Sequence, residues 1–326
     1  MGSRVLEFGL HRHRFEPTDG AHAWQRMSTM QDPPTQAPHG NKGATTGSNV
    51  HWSLPTFVVI GAMKAGTTTL HAWLAEHPDV CMSARKELDF FVEDGNWERG
   101  VGWYRLRFAS CAAEKARGES SPNYAKIHAD PGVPKRMYSV VPDARLIYLV
   151  REPIERMRSM YRHLVIDGTE TRTFIDALTE DEDYLQTSRY IQHIGAYLKY
   201  YPKDRFLVIT TEQLATDPEA TLAAVHSHLG VYPVDPPEDV GRRNVTGDRR
   251  VDSAMSLRLK ANPAYWRALN RSWRLRNVHE RVFSRKARVP STQLRREVEK
   301  SLHNDLEKDT QALEVFVGRN LTEWGR

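Results

Sequence analysis

Three short apolar segments of the chain alternate with longer amphipathic ones. The apolar segments are TFVVIG (56–61), RLIYLVR (145–151) and RFLVITT (205–211), and each is rich in β-branched or aromatic residues. Such segments are typical of strands in a parallel sheet that is covered on both faces, because both sides of each strand are then buried. The pattern therefore predicts three central parallel strands.

Helical patterns lie between and after these strands. They cover Thr67–Glu76, Ile154–Val165, Tyr190–Tyr201 and Pro218–Leu229, and Pro153 stands where the second helix begins. Proline suits the first turn of a helix, since the N–H it lacks would have no helical partner there. Alternating strands and helices predict an α/β fold with a P-loop-like central parallel β-sheet flanked by helices. Ligands of such sheets bind beyond the carboxyl ends of the strands.

The two ends of the chain differ from this α/β region, which occupies residues 53–252. Residues 1–52 mix small and polar residues without a sustained period, which predicts a disordered leader. Residues 253–326 are mostly helical in pattern, and we expect them to pack as a helical C-terminal extension on the same domain. The last predicted helix, Ser291–Phe316, has one apolar face formed by Leu294, Val298, Leu302, Leu306, Leu313 and Phe316.

Composition narrows the class of protein. The chain has 326 residues, of which 40% are hydrophobic, enough for one large or two modest globular domains. No run approaches the ~18 apolar residues of a membrane span, and the first residues show no signal-peptide pattern. Cys81 and Cys111 are fewer cysteines than a secreted scaffold uses, and they lack metal-ligand spacing. We therefore predict reduced thiols and a cytoplasmic protein.

The positive charge is concentrated near the C-terminus. The net charge is +5, yet residues 242–300 hold 17 Lys and Arg against 5 Asp and Glu, a local +12. This segment could face an anionic ligand, a membrane surface or nucleic acid. The alternative is a set of helices with solvated basic faces. No recognition motif or basic-aromatic repeat supports nucleic acid, so we expect no nucleic-acid partner.

The segment after the first strand has the character of a phosphate-binding loop. It runs from Gly61 to Gly66 and enters a helix at Thr67, so that backbone N–H groups and threonine hydroxyls can approach an anion. An ATPase-type loop has its lysine directly after the last glycine. Here that position is Thr67, and the lysine is Lys64. The next strand ends in Arg151 rather than in an acidic metal ligand, which argues against hydrolysis of a nucleoside triphosphate.

A second candidate site begins at Arg151. Ser159 follows eight residues later, two turns into the predicted helix, and an arginine fork with a nearby hydroxyl suits a terminal phosphate. The alternative is a surface salt-bridge pattern, because Glu152, Glu155 and Arg158 crowd the same stretch.

A third candidate is Glu87 in RKELDFF (85–91), where the pair Phe90–Phe91 follows. Aromatic neighbours would disfavour the charged form of the carboxylate, which suits a general base. The alternative is an ordinary solvated glutamate.

Taken together, the three segments resemble the sulfotransferases that use 3′-phosphoadenosine 5′-phosphosulfate, and most of all the heparan sulfate N- and O-sulfotransferase type and its bacterial relatives. That family carries K-x-G-T-[TS], K-E-x-x-[FY]-F and R-x-P-x-x-R-x-x-S, matched here from Lys64, Lys86 and Arg151 in the same order.

The resemblance implies a role for each matched residue. Glu87 would be the catalytic base, and Lys64 would act on the bridging oxygen of the donor. The loop would hold the 5′-phosphosulfate, Arg151 and Ser159 would hold the 3′-phosphate, and no metal would be required. The implied donor-binding residues are Lys64, Ala65, Gly66, Thr67, Thr68, Thr69, Arg151, Ser159, Gly247 and Arg249.

The sequence departs from the family pattern at a fourth motif. O-sulfotransferase relatives often carry E-K-T-P-x-Y, whereas this chain has ESSPNY at 119–124, without the lysine. His128 would be the next candidate for the base. The acceptor would be a hydroxyl, with an amine as second choice, on a glycan, a glycolipid or a secondary metabolite. Two alternatives stay open, a small P-loop kinase that uses ATP and a nucleotide-binding protein without turnover.

Overall fold

The computed structural model describes residues 54–111, 114–237 and 290–325, together with two short strands and isolated positions between 250 and 286. The predicted leader, residues 1–52, and most of the basic segment lie outside the described residues. The described strands are β1 (Phe57–Gly61), β2 (Val80–Met82), β3 (Ala116–Ser120), β4 (Arg145–Val150), β5 (Phe206–Thr210), β6 (Arg250–Asp252) and β7 (Ser284–Lys286).

Strands β1 to β5 form one parallel sheet in the order β2-β3-β1-β4-β5. The three predicted apolar segments are its strands β1, β4 and β5, and β1 and β4 are almost entirely buried. The short strands β6 and β7 pair with each other in antiparallel fashion. The predicted class of fold, a central parallel sheet flanked by helices, is confirmed.

The sequence did not reveal β2 and β3. Strand β2 has three residues, and β3 reads ARGES, which lacks the apolar run of a buried strand. Glu119 and Ser120 on β3 are nevertheless fully buried. Polar residues are tolerated inside a sheet when hydrogen bonds satisfy them, and the Glu119 carboxylate accepts three such bonds. The Ser120 hydroxyl is buried without a hydrogen-bond partner among the described residues.

The helices flank this sheet. In chain order, the helices with described bounds are α1 (Thr67–Ala75), α2 (Gly100–Leu106), α3 (Val133–Val140), α4 (Pro153–Ile166), α5 (Phe174–Glu180), α6 (Asp183–Gln186), α7 (Tyr190–Tyr197), α8 (Thr211–Thr216), α9 (Pro218–Leu229) and α10 (Arg296–Val317). The four predicted helices of the α/β region correspond to α1, α4, α7 and α9. Helix α7 ends at Tyr197, four residues before its predicted end.

The helix ends follow local signals. Pro153 opens α4, and the Glu152 side chain accepts a hydrogen bond from the Glu155 N–H at 2.7 Å. The side chain of Asp217 caps α9, and Gly230 ends it in the left-handed conformation. Side-chain oxygens of this kind satisfy N–H groups that have no partner within the helix.

The C-terminal helix α10 packs against α4 and α7. The Asp309 side chain of α10 accepts a hydrogen bond from the Ile191 N–H in the first turn of α7, over 3.4 Å. Beyond α10, the Trp324 ring N–H donates to Glu212 on α8 at 3.1 Å. None of the helices in the described ranges combines the length and apolarity of a membrane span.

The cysteines form a disulfide, so the prediction of reduced thiols is wrong. Cys81 lies on β2, and Cys111 lies five residues beyond α2, with their Cα atoms 5.6 Å apart. That separation is in the usual range for a disulfide. The pairing was not predictable, because the two cysteines lie 30 positions apart and β2, which carries Cys81, was not predicted.

Candidate functional site

The candidate site lies at the carboxyl edge of the sheet. Because β1 to β5 are parallel, the segments that follow them meet at the same edge. These segments contain the candidate residues Lys64, Glu87 and Arg151. Thr67, Thr68 and Thr69 form the first turn of α1, and Ser159 lies within α4.

Hydrogen bonds fix the backbone of the loop between β1 and α1. The Ala62 N–H donates to the Leu149 carbonyl of β4 at 2.6 Å, and the Ala65 N–H donates to the Ala62 carbonyl at 3.1 Å. The Thr211 hydroxyl of α8 lies 2.8 Å from the Ala65 carbonyl, to which it donates. The loop is therefore anchored to strand β4 and to helix α8 before any ligand binds.

The loop has the geometry of an anion cradle. Gly66 precedes α1 in the left-handed region with φ +93°, and in the described chain no side chain caps this helix. The first N–H groups of a helix lack intrahelical acceptors, and the helix dipole adds positive potential there. A cradle of this type suits a phosphate or sulfate group.

The predicted loop residues contribute in different ways. Ala65 is fully buried and Thr67 nearly so, whereas Thr68 is exposed and Lys64, Gly66 and Thr69 are partly exposed. Ala65 can therefore offer a ligand only its backbone. Thr68 and Lys64 can offer their side chains.

Gly61 allows the end of β1 to approach the segment after β3 closely. A Cβ atom built on Gly61 would lie 2.7 Å from the Cβ atom of Ala125, which follows β3. No larger residue fits between β1 and the segment after β3, so the glycine permits the close approach.

Arg151 is held at the end of β4 by Tyr190 of α7. The Tyr190 hydroxyl donates to the Arg151 carbonyl at 2.7 Å and accepts from the Arg151 N–H at 3.4 Å. The guanidinium group lies 3.6 Å from the Glu155 carboxylate, and its side chain is 26% exposed. Ser159 is buried two turns into α4. Arg151 can thus reach a ligand from a fixed backbone position.

Glu87 lies in the segment that follows β2, and its surroundings differ from the prediction. Its side chain is 54% exposed and accepts a hydrogen bond from the Lys86 ammonium group at 2.5 Å. Phe90 and Phe91 are fully buried in the core instead. The predicted aromatic environment of Glu87 is therefore wrong, and the nearest charged partner is a lysine.

Backbone strain is concentrated at this edge. Among the described residues other than glycine, positive φ angles occur at Lys64 (69°), Glu87 (62°) and Asp89 (45°). Such conformations cost about 1–3 kcal/mol each and persist where the surrounding structure holds them in place. Two of the three are the residues that the sequence identified as catalytic.

Asp89 is a second carboxylate in the same segment. Its Oδ2 atom accepts a hydrogen bond from Asn123 at 3.1 Å, and its Oδ1 atom is buried without a hydrogen-bond partner. Burial raises the pKa of Asp89 to about 6 against the opposing bond from Asn123, and the charge of Glu87 adds to the rise. The negative charge of Glu87 therefore favours the protonated form of the Asp89 carboxyl.

His71, on the helix that follows the phosphate loop, is affected by the charges of both Lys86 and Glu87. Burial lowers the pKa of His71 to about 4, the Lys86 charge lowers it further, and the Glu87 charge opposes both. His71 lies one turn beyond Thr67 on α1. The Lys86–Glu87 pair therefore acts on the helix whose first turn forms the anion cradle.

The remaining predicted residues have separate outcomes. Gly247 and Arg249 lie outside the described residues. The His128 ring lies 2.7 Å from Asp183, which also accepts a hydrogen bond from the Lys126 ammonium group at 2.6 Å, so His128 shares this carboxylate with a lysine. Within the described ranges no group of three acidic, histidine or cysteine side chains could hold a metal ion. That the reaction needs no metal stays a prediction.

The sequence assigned no role to Asp89, Ser121 or Tyr124, although all three lie in the motifs it singled out. Hydrogen bonds join the segment after β2 to the segment after β3, and Asp89, Ser121 and Tyr124 all take part in them. The available signal was a cluster of polar residues in ESSPNY, immediately after β3.

Comparison with known proteins identifies the family. The model of the sulfotransferase domain matches residues 54–246, more than half of the chain. Heparan sulfate glucosamine 3-O-sulfotransferase 5 of Mus musculus is 31% identical over 210 residues, which are 59% of this chain and 59% of that protein. The bifunctional heparan sulfate N-deacetylase/N-sulfotransferase 3 of Homo sapiens is 31% identical over 202 residues, 55% of this chain and 23% of that protein.

The chain thus spans less than two thirds of the length of these relatives. Among solved structures, a sulfotransferase from Alicyclobacillus acidocaldarius superposes with a TM-score of 0.60 at 24% identity, covering 84% of this chain and all of that one. This likeness bears on the fold alone. The resemblance inferred from the three motifs is confirmed, and the chain belongs to the sulfotransferase family.

Proposed function

We propose that the chain transfers a sulfuryl group from 3′-phosphoadenosine 5′-phosphosulfate to a hydroxyl group, with an amine as the second choice of acceptor. The observation that carries the proposal is the placement of Lys64 and Glu87 on strained backbone at one edge of the sheet. One residue lies in the anion cradle, and the other presents an exposed carboxylate.

The described residues fit this donor. The uncapped first turn of α1 and the Lys64 side chain would hold the 5′-phosphosulfate, and Thr68 adds an exposed hydroxyl. Arg151 and Ser159 would hold the 3′-phosphate that distinguishes the donor from ATP. The donor supplies an activated sulfur whose bond to the phosphate oxygen is broken in the reaction.

The protein residues would accept the proton of the acceptor and stabilise the charge that develops on the leaving group. Glu87 accepts the proton of the acceptor hydroxyl while the hydroxyl oxygen forms its bond to sulfur. A positioned general base contributes ~10²–10⁴ in rate. Lys64 offsets the charge that develops on the departing phosphate oxygen. The ammonium group of Lys86 holds the carboxylate of Glu87 in place until the acceptor binds.

The acceptor is proposed as a class. Relatives of the chain are named for heparan sulfate, a glycan, which favours a glycan over a glycolipid or a secondary metabolite. Contact of the basic segment 242–300 with a membrane surface and cytoplasmic localisation stay predictions. The disulfide removes the support that reduced thiols would have lent to cytoplasmic localisation.

One assay tests the proposal. The protein is incubated with donor labelled in the sulfuryl group and, separately, with γ-labelled ATP, against a panel of glycans, glycolipids and small alcohols. The proposal predicts label transfer from the sulfuryl donor only. Transfer from ATP would favour the kinase alternative, and binding of the donor without transfer to any acceptor would favour the binding protein.

A further inference from the structure

Glu119, at the carboxyl end of β3, is fully buried and accepts three hydroxyl hydrogen bonds. Tyr104 of α2 donates to its Oε1 atom at 2.6 Å, and Tyr124 donates to the same atom at 2.8 Å. Ser121 donates to Oε2 at 2.7 Å. A buried carboxylate with three such bonds orders the groups around it, because removing one partner leaves a buried polar atom unsatisfied.

Two of these hydroxyls also hold the segment that carries Glu87. The Ser121 oxygen accepts a hydrogen bond from the Asp89 N–H at 3.1 Å. The Tyr124 oxygen accepts from the Phe90 N–H at 2.9 Å. Each hydroxyl therefore relays a bond from Glu119 to a consecutive backbone N–H.

A third contact holds the same segment from the end of β3. The Glu87 N–H donates to the Ser120 carbonyl at 2.9 Å. Three backbone N–H groups, those of Glu87, Asp89 and Phe90, are thereby fixed to β3 and the residues after it. This accounts for the positive φ angles at Glu87 and Asp89, since strain persists where anchors on both sides impose it.

We propose that Glu119 is a positioning residue, which sets the direction of the Glu87 carboxylate through Ser121 and Tyr124. The inference rests on the proposed function, in which Glu87 is the base. Glu119 touches neither the donor nor the acceptor in this account. It acts by keeping both hydroxyl protons directed toward itself, so that the hydroxyl lone pairs face the Asp89 and Phe90 N–H groups.

The direction of the hydroxyl protons makes the arrangement sensitive to the charge of Glu119. An ionised carboxylate accepts from all three hydroxyls. A protonated carboxyl, or the amide of Glu119→Gln, has one side that donates, and the hydroxyl on that side must turn its own proton away. With the amide nitrogen toward Ser121, the Ser121 proton would point at the Asp89 N–H, and that anchor would be lost.

Titration supports the same picture. Burial raises the pKa of Glu119 to about 7, against the opposing bonds from Tyr104, Ser121 and Tyr124, and Asp89 contributes to the rise. The titratable groups that face Glu119 are Asp89, Tyr104, Tyr124 and, through its charge, Tyr197. The two arrangements of the hydroxyl protons would therefore exchange near neutral pH.

The experiment compares three single variants in the labelled-donor assay. Ser121→Ala and Tyr124→Phe each remove one relay, whereas Tyr104→Phe removes a bond to Glu119 of the same kind without touching the segment. We expect kcat to fall roughly 10- to 100-fold in the two relay variants, as misplacement of a catalytic group does. We expect a smaller loss in Tyr104→Phe and equal affinity of all three variants for adenosine 3′,5′-bisphosphate. Glu119→Gln, if it folds, should lose kcat and the acid limb of the pH profile near 7.

Amide hydrogen exchange gives a readout that needs no turnover. Exchange of the Asp89 amide should quicken in Ser121→Ala and that of the Phe90 amide in Tyr124→Phe, by at least ~10-fold, and neither should in Tyr104→Phe. Equal kcat in all three variants, or unchanged exchange at both amides, would overturn the positioning role. If wild-type protein transfers no sulfuryl group while the exchange pattern is as expected, the proposed function fails and the hold of Glu119 on the segment stands.

Discussion

Arg151 and Glu155 face each other across one turn at the start of α4, with Nη2 and Oε2 3.6 Å apart. The same carboxylate is bound more closely by Arg158, at 2.5 Å. Arg151 can therefore leave Glu155 for a phosphate group without stranding an unpaired carboxylate. This arrangement makes Arg151 the member of the salt-bridge pattern that is available to a ligand.

The first prediction concerns the 3′-phosphate. Arg151→Ala should weaken binding of adenosine 3′,5′-bisphosphate by ~1.5–3 kcal/mol, the value of a charge-assisted hydrogen bond, and should change binding of AMP far less. The measurement is the rise in melting temperature with ligand, which follows affinity through mass action. Arg205→Ala is the matched control, because Arg205 precedes β5 at the amino edge of the sheet, whereas Arg151 follows β4 at the carboxyl edge. Equal weakening for both nucleotides would show that Arg151 does not read the 3′-phosphate.

The second prediction concerns the glycine of the phosphate loop. Gly66→Ala should lower the free energy of unfolding by roughly 1–2 kcal/mol, because an L-residue at φ +93° is strained. It should also weaken donor binding, since relief of the strain moves the first turn of α1. Gly102→Ala is the control, because it lies within α2 with nothing within 4 Å of its added Cβ. Urea unfolding of both variants decides the matter, and equal stability of Gly66→Ala and wild type would contradict the role of this turn.

The third prediction concerns pH. Burial raises the pKa of Glu119 from 4.5 to about 7 in the folded protein. The folded state then binds more protons than the unfolded state between these values, so the contribution of Glu119 to stability falls as pH rises from 4.5 to 7. As pH rises across this range, the unfolding free energy of wild type should fall relative to that of Glu119→Gln, by at most about 3 kcal/mol. A gap that is independent of pH would contradict the raised pKa.

The fourth prediction concerns the disulfide. Reduction should lower the melting temperature, because a bridge that closes a loop of this length contributes ~2–4 kcal/mol. The double variant Cys81→Ser with Cys111→Ser should be insensitive to reductant and melt near the reduced protein. Two titratable thiols in untreated protein, measured under denaturing conditions, would argue that the bridge does not form.

Local features of the chain were predictable from sequence. The apolar runs of β1, β4 and β5 indicated buried strands, and Pro153 and Pro218 marked helix starts. The loop from Gly61 to Gly66 could be identified because a phosphate cradle is built from consecutive residues. Each of these features depends on residues that are near one another in the chain.

Features that depend on distant partners were not predictable. Strand β3 was hidden by its polar residues, among which Glu119 is satisfied by hydroxyls that Tyr104 and Tyr124 bring to it from other parts of the chain. The environment of Glu87 was misjudged because positive φ angles turn its side chain outward while Phe90 enters the core. The hydrogen bonds that impose those angles come from a segment more than 30 residues away.

The most direct test of the account is single-turnover transfer of a labelled sulfuryl group by wild type and by Glu87→Gln, with Glu98→Gln as an exposed control nearby. We expect Glu87→Gln to lower the transfer rate by ~10²-fold or more and to leave the affinity for adenosine 3′,5′-bisphosphate unchanged. We expect Glu98→Gln to behave as wild type. Transfer by Glu87→Gln at the wild-type rate would contradict the account and assign the base to another group.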